Sequence, residues 1–374
     1  MRLAILFINY GPYHLARVKS CHLLFKEIGW DVVGIEIARQ DNVYAWKTNI
    51  QNLNIPIFSI FGDKNDEEAG IKQIYQQTAA TLAQIKPDIL AIAGYAEKTM
   101  LSALIWCILN KKATILLSDS KEDDAPRRWW LEKFKSFLLK GYKSALVAGK
   151  PHQDYLLNLG IKPNGIFFPF DVVGNEEFHP TKIRHLPQPL NKPYFLAINR
   201  FVPQKNIPFL ISAYSNYRQL VGNRAWDLVL CGDGELRSQI EQQIAENELQ
   251  DSVHLPGFLQ QQELLPYFAH ASCFIHSSIQ EQWGLVVNEA MAAGLPVLIS
   301  NRCGCFEDLV IEAVNGFGFD PENLHQLTEL MDKMSSGNID LKIVGQASLE
   351  HIQKFSPDEF AKGLIQAAKY ALAN

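Results

Sequence analysis

Two carboxylates, Glu281 and Glu289, lie eight positions apart in the stretch EQWGLVVNEAMAAGLPV. The short run CFIHSS before them has the apolar composition of a strand. The residues after Gly284 have helical character, and Gly294 followed by Pro296 is a typical helix end. The pattern therefore predicts Glu281 in a strand-to-helix loop and Glu289 inside the helix. A carboxylate in such a loop can accept hydrogen bonds from sugar hydroxyls, and the start of the helix favours phosphate.

A pair of cations, Arg200 and Lys205, follows an earlier strand-like run in the loop AINRFVPQKN. In a reaction whose leaving group is a phosphate or diphosphate, negative charge grows on that group as the bond breaks. A guanidinium and an ammonium placed there stabilise the transition state more than the ground state. Taken alone, the pair would be interpreted as two ordinary surface cations; the Glu281 stretch beside it favours the phosphate role.

Glycines mark another strand end in the stretch LVLCGDGELRSQI. Gly232 and Gly234 permit a tight strand-to-helix turn with positive φ angles. A plain turn and a turn beside a nucleotide share this pattern, so these residues alone do not separate the two.

The elements that must position these residues alternate between apolar strand-like runs, such as PDILAIAG and ATILLS, and helical segments, one of them around residues 67–85. Continuous apolar strands separated by helices indicate parallel sheets covered on both faces. Residues 179–193, HPTKIRHLPQPLNKP, interrupt the alternation, and we interpret them as an interdomain linker. The sequence therefore predicts two doubly wound α/β domains, with ligands bound outside the carboxyl ends of the strands.

Length and composition fit this architecture. The chain has 374 residues, of which 47% are apolar and 20% charged, as expected of a soluble protein with two domains. A net charge of −5 gives no reason to expect a nucleic-acid partner. Six scattered cysteines fit buried thiols in a reducing compartment. The N-terminus lacks the features of a signal peptide, and the longest apolar run, LSALIWCIL, is too short to span a bilayer.

The pattern E-x-W-G-L-x-x-x-E-A-M-A-x-G-x-P-V resembles the donor-site signature of retaining glycosyltransferases of family 4, also called glycosyl transferases group 1. The loop with Arg200 and Lys205 resembles the G-R-L-x-P-x-K loop of that family, with Asn199 in place of the usual glycine. Gln282 and Trp283 stand where Gly and Phe are frequent, at positions that would line the sugar pocket. The resemblance covers most of the second predicted domain and the first more loosely.

This resemblance implies the GT-B fold, in which two Rossmann-like parallel-sheet domains face each other across a cleft. The expected parts are an acceptor-side domain over residues 1–180 and a nucleotide-sugar donor domain over residues 181–355. A C-terminal helix, residues 356–374, is expected to pack back on the first domain.

In the donor domain the resemblance implies that Glu281 contacts the donor hexose and that Glu289 accepts hydrogen bonds from the ribose hydroxyls. Arg200 and Lys205 would hold the diphosphate. The other implied donor contacts, made by backbone at the glycine turn, by the nucleobase segment and by backbone amides near the sugar, are at Gly232, Gly234, Gly257, Phe258, Leu259, Trp283, Gly284 and Leu285.

In the first domain, Gly11 occupies the loop where the family often has paired glycines near the donor phosphates. His14 opens the following helix and either faces the cleft or makes a structural contact. Asp119 follows a strand after which many family members have His-Asp, and it is our candidate for orienting or deprotonating the acceptor. The acids Glu122–Asp124 suggest either a metal-binding motif or an N-cap at Asp124, and we favour the N-cap.

Residues 127–143, RRWWLEKFKSFLLKGYK, interleave basic and aromatic side chains. Trp130, Phe134, Phe137 and Leu138 share one helical face. Such a helix either lies on an anionic membrane or packs on the sheet of the first domain. Packing is the interpretation that we favour.

The function expected from this reading is transfer of a hexose from a UDP- or GDP-linked sugar to a hydroxyl of a glycan, lipid or small molecule. The anomeric configuration would be retained, without a metal or another cofactor. The alternatives are a GT-B phosphorylase or disaccharide synthase, and a sugar-nucleotide-binding protein without turnover. The expected location is cytoplasmic, with peripheral membrane contact left open.

Overall fold

The computed structural model describes residues 1–39, 55–62 and 69–374. The chain forms two compact units, one of Met1–Gly174 with Phe355–Asn374 and the other of Asn175–Lys354. Among the described residues, no helix combines the length and the apolar character needed to cross a membrane. The six cysteines, which all lie in the described part, are buried and form no disulfide.

The first unit is built on seven parallel strands in the order β3-β2-β1-β4-β5-β6-β7. The strands are Arg2–Phe7 (β1), Asp31–Glu36 (β2), Ile57–Ser59 (β3), Ile89–Ala93 (β4), Ala113–Ser118 (β5), Ser144–Val147 (β6) and Ile166–Phe167 (β7). The helices are Pro12–Glu27 (α1), Ile71–Ile85 (α2), Lys98–Leu109 (α3), Trp129–Leu139 (α4), Lys150–Asn158 (α5) and the C-terminal Pro357–Ala373 (α15). Positions 67 and 68 of the helix predicted around 67–85 lie outside the described residues.

Both faces of this sheet are covered. In β1, Leu3 and Ile5 belong to a core shared with α1 and α15, whereas Ala4 and Leu6 belong to a second core shared with α2 and α3. Successive side chains of a strand point to opposite faces, so a strand buried on both sides has to be apolar throughout. This confirms the doubly wound architecture predicted from the uninterrupted apolar strands.

The second unit has six parallel strands in the order β10-β9-β8-β11-β12-β13. The strands are Tyr194–Ile198 (β8), Asp227–Cys231 (β9), Val253–Gly257 (β10), Cys273–His276 (β11), Val297–Ser300 (β12) and Gly316–Phe319 (β13). The helices are Asn175–Phe178 (α6), Pro180–Ile183 (α7), Ile207–Val221 (α8), Arg237–Glu246 (α9), Gln261–His270 (α10), Leu285–Ala292 (α11), Phe306–Leu309 (α12), Leu324–Ser335 (α13) and Leu341–Ile352 (α14).

The strand orders identify where each sheet offers a crevice. In the second unit the chain runs from β8 to β9 and β10 on one side and then crosses to β11 on the other. The loops after β8 and β11 therefore diverge at the carboxyl edge, and ligands of open parallel sheets bind at such a switch point. In the first unit the corresponding loops follow β1 and β4.

Two local predictions need correction. Residues 180–183 of the predicted linker form α7 within the second unit, because Pro180 suits the first position of a helix and Ile183 is buried. The helix α4 does not pack its aromatic face on the sheet, since Trp130, Phe134 and Phe137 are 50–68% exposed. Periodicity identifies the apolar face of a helix but not the direction in which that face points.

Candidate active site

The carboxylate of Glu281 and the ammonium of Lys205 form an ion pair at the carboxyl edge of the second sheet. Glu281 lies in the loop after β11, and Lys205 ends a short 3₁₀ turn in the loop after β8. Both side chains are 16% exposed. The two residues are 76 positions apart in the chain, and the switch point of the sheet brings them together.

His276 and Ser278 complete the surroundings of Glu281, and the sequence analysis assigned a role to neither. The Nε2 atom of His276 donates to Glu281 Oε2 at 2.9 Å, and Ser278 Oγ donates to the same oxygen at 3.2 Å. Ser277 Oγ donates to the Lys205 carbonyl at 2.9 Å and so ties the two loops. The signal in the sequence was the polar run His-Ser-Ser at the end of a buried strand.

The protonation states of this cluster follow from burial and charge. Burial lowers the pKa of His276 by more than its hydrogen bond to Glu281 raises it, so the ring is neutral at pH 7. Burial alone would raise the pKa of Glu281. The hydrogen bond from His276 and the charge of Lys205 outweigh burial and hold the pKa of Glu281 well below its usual range. Glu281 is therefore a fixed anion.

Gly284 allows α11 to begin close to this cluster. It is the N-cap of α11 and has φ +107°, in the left-handed region that favours glycine. A Cβ on Gly284 would lie 3.4 Å from Glu281 Cγ and 3.6 Å from His276 Nε2. The first amides of α11, from Leu285 onward, therefore begin directly beside the Glu281 side chain, where the helix N-terminus carries partial positive charge.

Glu289 and Trp283 are both buried in the same part of the second unit. Glu289 is the fifth residue of α11 and is 4% exposed. The Trp283 side chain is 2% exposed, and its indole nitrogen donates to Asn288 Oδ1 at 2.9 Å. The indole therefore anchors the loop to α11, and the donor contact implied for Trp283 rests on its backbone.

The predicted phosphate loop and glycine turn pack closely on each other. Gly232 has φ +139°, and a Cβ on it would lie 1.8 Å from the Asn199 carbonyl oxygen. Gly234 has φ +156°, and a Cβ there would meet the Phe201 carbonyl oxygen at 2.6 Å. The tight turn expected at these glycines is present, and close packing against the Arg200 loop explains it. Arg200 itself is exposed at this edge.

The nucleobase segment continues the same edge. Gly257 ends β10 with φ +86°, and its carbonyl accepts from Gly232 N at 2.8 Å. Phe258 follows with 53% exposure, and Leu259 is half-buried. The residues implied for the donor, apart from Gly11, thus lie in the loops after β8, β9, β10 and β11, at the end of β10, or in α11, which follows the last of these loops.

In the first unit, Gly11 and His14 lie at the switch point after β1. Gly11 caps α1, and its N–H donates to His14 Nδ1 at 3.3 Å. The His14 ring packs on Phe7 with ring centres 4.2 Å apart. Burial and the nearby charge of Arg17 lower the pKa of His14 to about 3. The ring is therefore neutral, and because Nδ1 accepts, Nε2 carries the proton.

Asp119 follows β5 and belongs to a group of charges around Arg17. Arg17 is buried and donates to Asp171 Oδ1 and to the Val172 carbonyl, both at 3.1 Å. Burial and the charge of Asp171 raise the pKa of Asp119 to about 7, although Arg17 acts in the opposite direction. A carboxyl that titrates near neutral pH suits proton transfer.

Replacing Asp119 with asparagine is expected to stabilise the protein more at pH 7 than at pH 4. Unfolded aspartate ionises near pH 3.9, whereas folded Asp119 holds its proton up to about pH 7. The folded state binds more protons in this window, so the stability of the natural protein falls as pH rises through it. The full shift corresponds to about 4 kcal/mol, and half-burial reduces our expectation to about 1–2 kcal/mol.

Urea unfolding of both proteins between pH 4 and pH 8 would measure this difference, with Asp251→Asn at an exposed position as the matched control. A difference between Asp119→Asn and the natural protein that stays constant with pH would contradict the assignment.

Asp124 in the acidic stretch Glu122–Asp124 is not the N-cap of the following helix, so that prediction is wrong. The helix α4 begins at Trp129 with Arg128 as its N-cap. Asp124 instead accepts from the Lys121 N–H at 2.8 Å, and Lys121 Nζ pairs with Asp123 at 2.7 Å. Glu122–Asp124 form a 3₁₀ turn of their own, and four residues separate it from α4, so Asp124 does not cap that helix. Within residues 1–39, 55–62 and 69–374, no group of three or more His, Cys, Asp or Glu side chains is arranged to hold a metal ion.

The second unit resembles a known protein family. Residues 179–351 match the family model of glycosyl transferases group 1. The second unit is a glycosyl transferases group 1 domain. An uncharacterized glycosyltransferase of Methanocaldococcus jannaschii is 29% identical over 178 residues, which cover 47% of this chain and 45% of that protein. The mouse alpha-1,3/1,6-mannosyltransferase ALG2 is 26% identical over 201 residues, 50% of this chain and 48% of ALG2. The alignments thus span about half the length of these curated relatives.

Solved structures extend the similarity to the whole fold. A glycosyltransferase from Rickettsia africae has a TM-score of 0.78 at 17% identity, covering 100% of this chain and 99% of that one. Anabaena HepE in complex with UDP and glucose has a TM-score of 0.76 at 17% identity, covering 99% of both chains. With two parallel-sheet α/β units, the fold is GT-B, as the sequence predicted.

Proposed function

We propose that this protein is a retaining glycosyltransferase that moves a hexose from a nucleoside-diphosphate sugar to an acceptor hydroxyl. The observation that carries the proposal is the meeting of Lys205 and Glu281 at the switch point of a group 1 domain, beside the start of α11. A cation, a fixed anion and a helix N-terminus at one point suit the two halves of a nucleotide sugar, the diphosphate and the hydroxylated ring.

The side chains of the candidate site each have a role in this proposal. Glu281 accepts hydrogen bonds from hexose hydroxyls, because its low pKa keeps both oxygens as acceptors. Arg200 and Lys205 neutralise the diphosphate as it leaves. Glu289 accepts from the ribose hydroxyls, and the amides at the start of α11 contact the sugar and the distal phosphate.

The first donor to test is UDP-glucose, since HepE was solved with UDP, glucose and UDP-glucose. The acceptor side is proposed to use Asp119 to orient or deprotonate the hydroxyl, with neutral His14 as a donor from Nε2. Both residues lie in the first unit at the carboxyl ends of β5 and β1.

Incubation with UDP- and GDP-sugars and a panel of acceptor alcohols tests the function directly. The expected result is release of nucleoside diphosphate that depends on the acceptor, with a product whose anomeric configuration matches the donor by NMR. A thermal shift with a nucleotide sugar but no release with any acceptor would favour a binding protein. An inverted product would contradict retention.

Replacing Glu289 with alanine is expected to weaken binding of the nucleoside diphosphate. Losing hydrogen bonds to a charged acceptor costs about 1.5–3 kcal/mol each, so Kd should rise roughly tenfold or more. Calorimetry with the free nucleotide measures this change, and Glu289→Gln, which keeps the side-chain shape, separates lost charge from lost packing. The exposed Glu307→Ala is the control. An unchanged Kd would remove Glu289 from the ribose site.

A further inference from the structure

The helix α4 presents its aromatic side chains to solvent. Trp129 is 72% exposed, Trp130 50%, Phe134 55% and Phe137 68%. With 100° between successive residues these four positions share one face of the helix, together with the exposed Lys133. Large apolar side chains gathered on an exposed face mark an interaction surface rather than ordinary scatter.

The opposite face of α4 is held to the first unit partly by polar contacts. Glu132 accepts from Tyr155 Oη at 2.7 Å and from Lys135 Nζ at 2.9 Å. Lys135 Nζ also donates to Tyr155 Oη at 2.9 Å, and the Arg127 guanidinium lies 4.5 Å from the Tyr155 ring centre. The helix is therefore fixed in an orientation that turns its aromatic face outward, and its only acid, Glu132, is engaged on the inner side.

Helix α3 continues the apolar surface. Ile105, Ile108 and Leu109 are 49%, 54% and 68% exposed and share one face of α3. Gly141 follows α4 and packs closely against α3. A Cβ on it would lie 3.1 Å from Ile108 Cδ1 of α3 and 3.2 Å from the Leu138 carbonyl oxygen of α4. We call this the α3–α4 surface, formed by these three residues and the four aromatic residues of α4.

The charge around the α3–α4 surface is opposite to that of the whole protein. Residues 127–143 contain six lysines or arginines and one glutamate. Arg127 and Lys135 pair with Glu132 on the inner side, and the other four cations are exposed. Lys111 and Lys112 add two more just after Asn110, the C-cap of α3. The complete chain has a formal net charge of −5. Basic residues around exposed aromatic side chains match an anionic lipid surface, because the cations meet the headgroups while Trp and Phe enter the interface.

We propose that the α3–α4 surface docks the protein on an anionic phospholipid bilayer. Lys133 and Lys140 flank the aromatic row and contact lipid phosphates, while Phe134 and Phe137 insert between the headgroups. The proposal does not depend on which sugar is transferred, and vesicle binding tests it apart from any enzymatic activity.

Co-sedimentation of the full chain with phosphatidylcholine vesicles, with and without phosphatidylglycerol, measures the docking. We expect binding to the anionic vesicles at low salt and release near 1 M salt, where the screening length falls to about 3 Å. Phe134→Ser with Phe137→Ser should lower the partition coefficient more than about tenfold. Lys133→Ala with Lys140→Ala should lower it by a similar factor.

Matched controls come from the second unit. Leu220 and Ile343 are 61% and 68% exposed, so Leu220→Ser with Ile343→Ser removes as much exposed apolar surface elsewhere. Lys342→Ala with Lys354→Ala removes two exposed cations. All four double variants change exposed side chains and should keep the thermal stability of the natural protein, and both controls should keep vesicle binding.

Tryptophan fluorescence adds an independent measure. Vesicles with brominated lipids should quench the tryptophan fluorescence of the natural protein. The variant Trp129→Phe with Trp130→Phe should still sediment with the vesicles but lose most of this quenching. Failure to bind anionic vesicles at low salt, or equal losses in the control variants, would overturn the proposal. So would a dimer that dissociates in the Phe134→Ser, Phe137→Ser variant, because a second copy would then cover the surface.

Discussion

Glu281→Gln is expected to lower kcat by about 10²-fold or more while the fold survives. The natural carboxylate is an anion with a pKa well below its usual range, held by Lys205 and His276. Glutamine keeps the shape of the side chain but removes the charge and one acceptor oxygen. A group that stabilises charge in a buried site typically contributes 10²- to 10³-fold to the rate.

Binding and turnover must be measured together for this variant. The affinity for free nucleoside diphosphate should stay near that of the natural protein, since Glu281 is proposed to contact the hexose and not the nucleotide. Glu307→Gln, at an exposed position on α12, is the control and should leave kcat unchanged. Near-normal turnover of Glu281→Gln would remove Glu281 from the catalytic machinery.

The main candidate site residues could be proposed from the sequence because their pattern is local. Glu281, Gly284 and Glu289 share one strand-loop-helix segment, and the resemblance fixed their positions without any knowledge of packing. The ion pair between Glu281 and Lys205 could not be derived in the same way. It depends on β8 and β11 being neighbours in the sheet, which is a long-range property of the topology.

Three features were missed or misjudged from the sequence, each for its own reason. His276 ends a buried strand, where a histidine is indistinguishable in sequence from a core residue, and only the position of Glu281 reveals its contact. The periodicity of α4 was correct, but the direction of its aromatic face depends on Glu132 and Lys135 bonding to Tyr155 across helices. The N-cap at Asp124 failed because the helix begins five residues later.

Because Lys205 pairs with Glu281, Lys205→Ala and Arg200→Ala should differ in how they change the pH dependence of the rate. Lys205→Ala takes away the charge that holds down the pKa of Glu281, so the variant should lose activity at a higher pH on the acid side than the natural protein does. Arg200 is exposed, and Arg200→Ala should lower the rate without this change in pH dependence. The acid limb of kcat against pH therefore separates the two cations.

Catalysis is expected to need no divalent metal, with Arg200 and Lys205 neutralising the leaving diphosphate. Activity should persist in excess EDTA, and Arg200→Ala and Lys205→Ala should each lower kcat by about 10²- to 10³-fold, the usual effect of removing one preorganised donor. Arg302→Ala is the matched control, because Arg302 also follows a strand of the second sheet, β12, and is 43% exposed. If EDTA abolishes turnover and Mg²⁺ or Mn²⁺ restores it, fixed cations do not replace a metal here. Glu122–Asp124, where Asp123 pairs with Lys121, would then be the first acids to replace in search of its ligands.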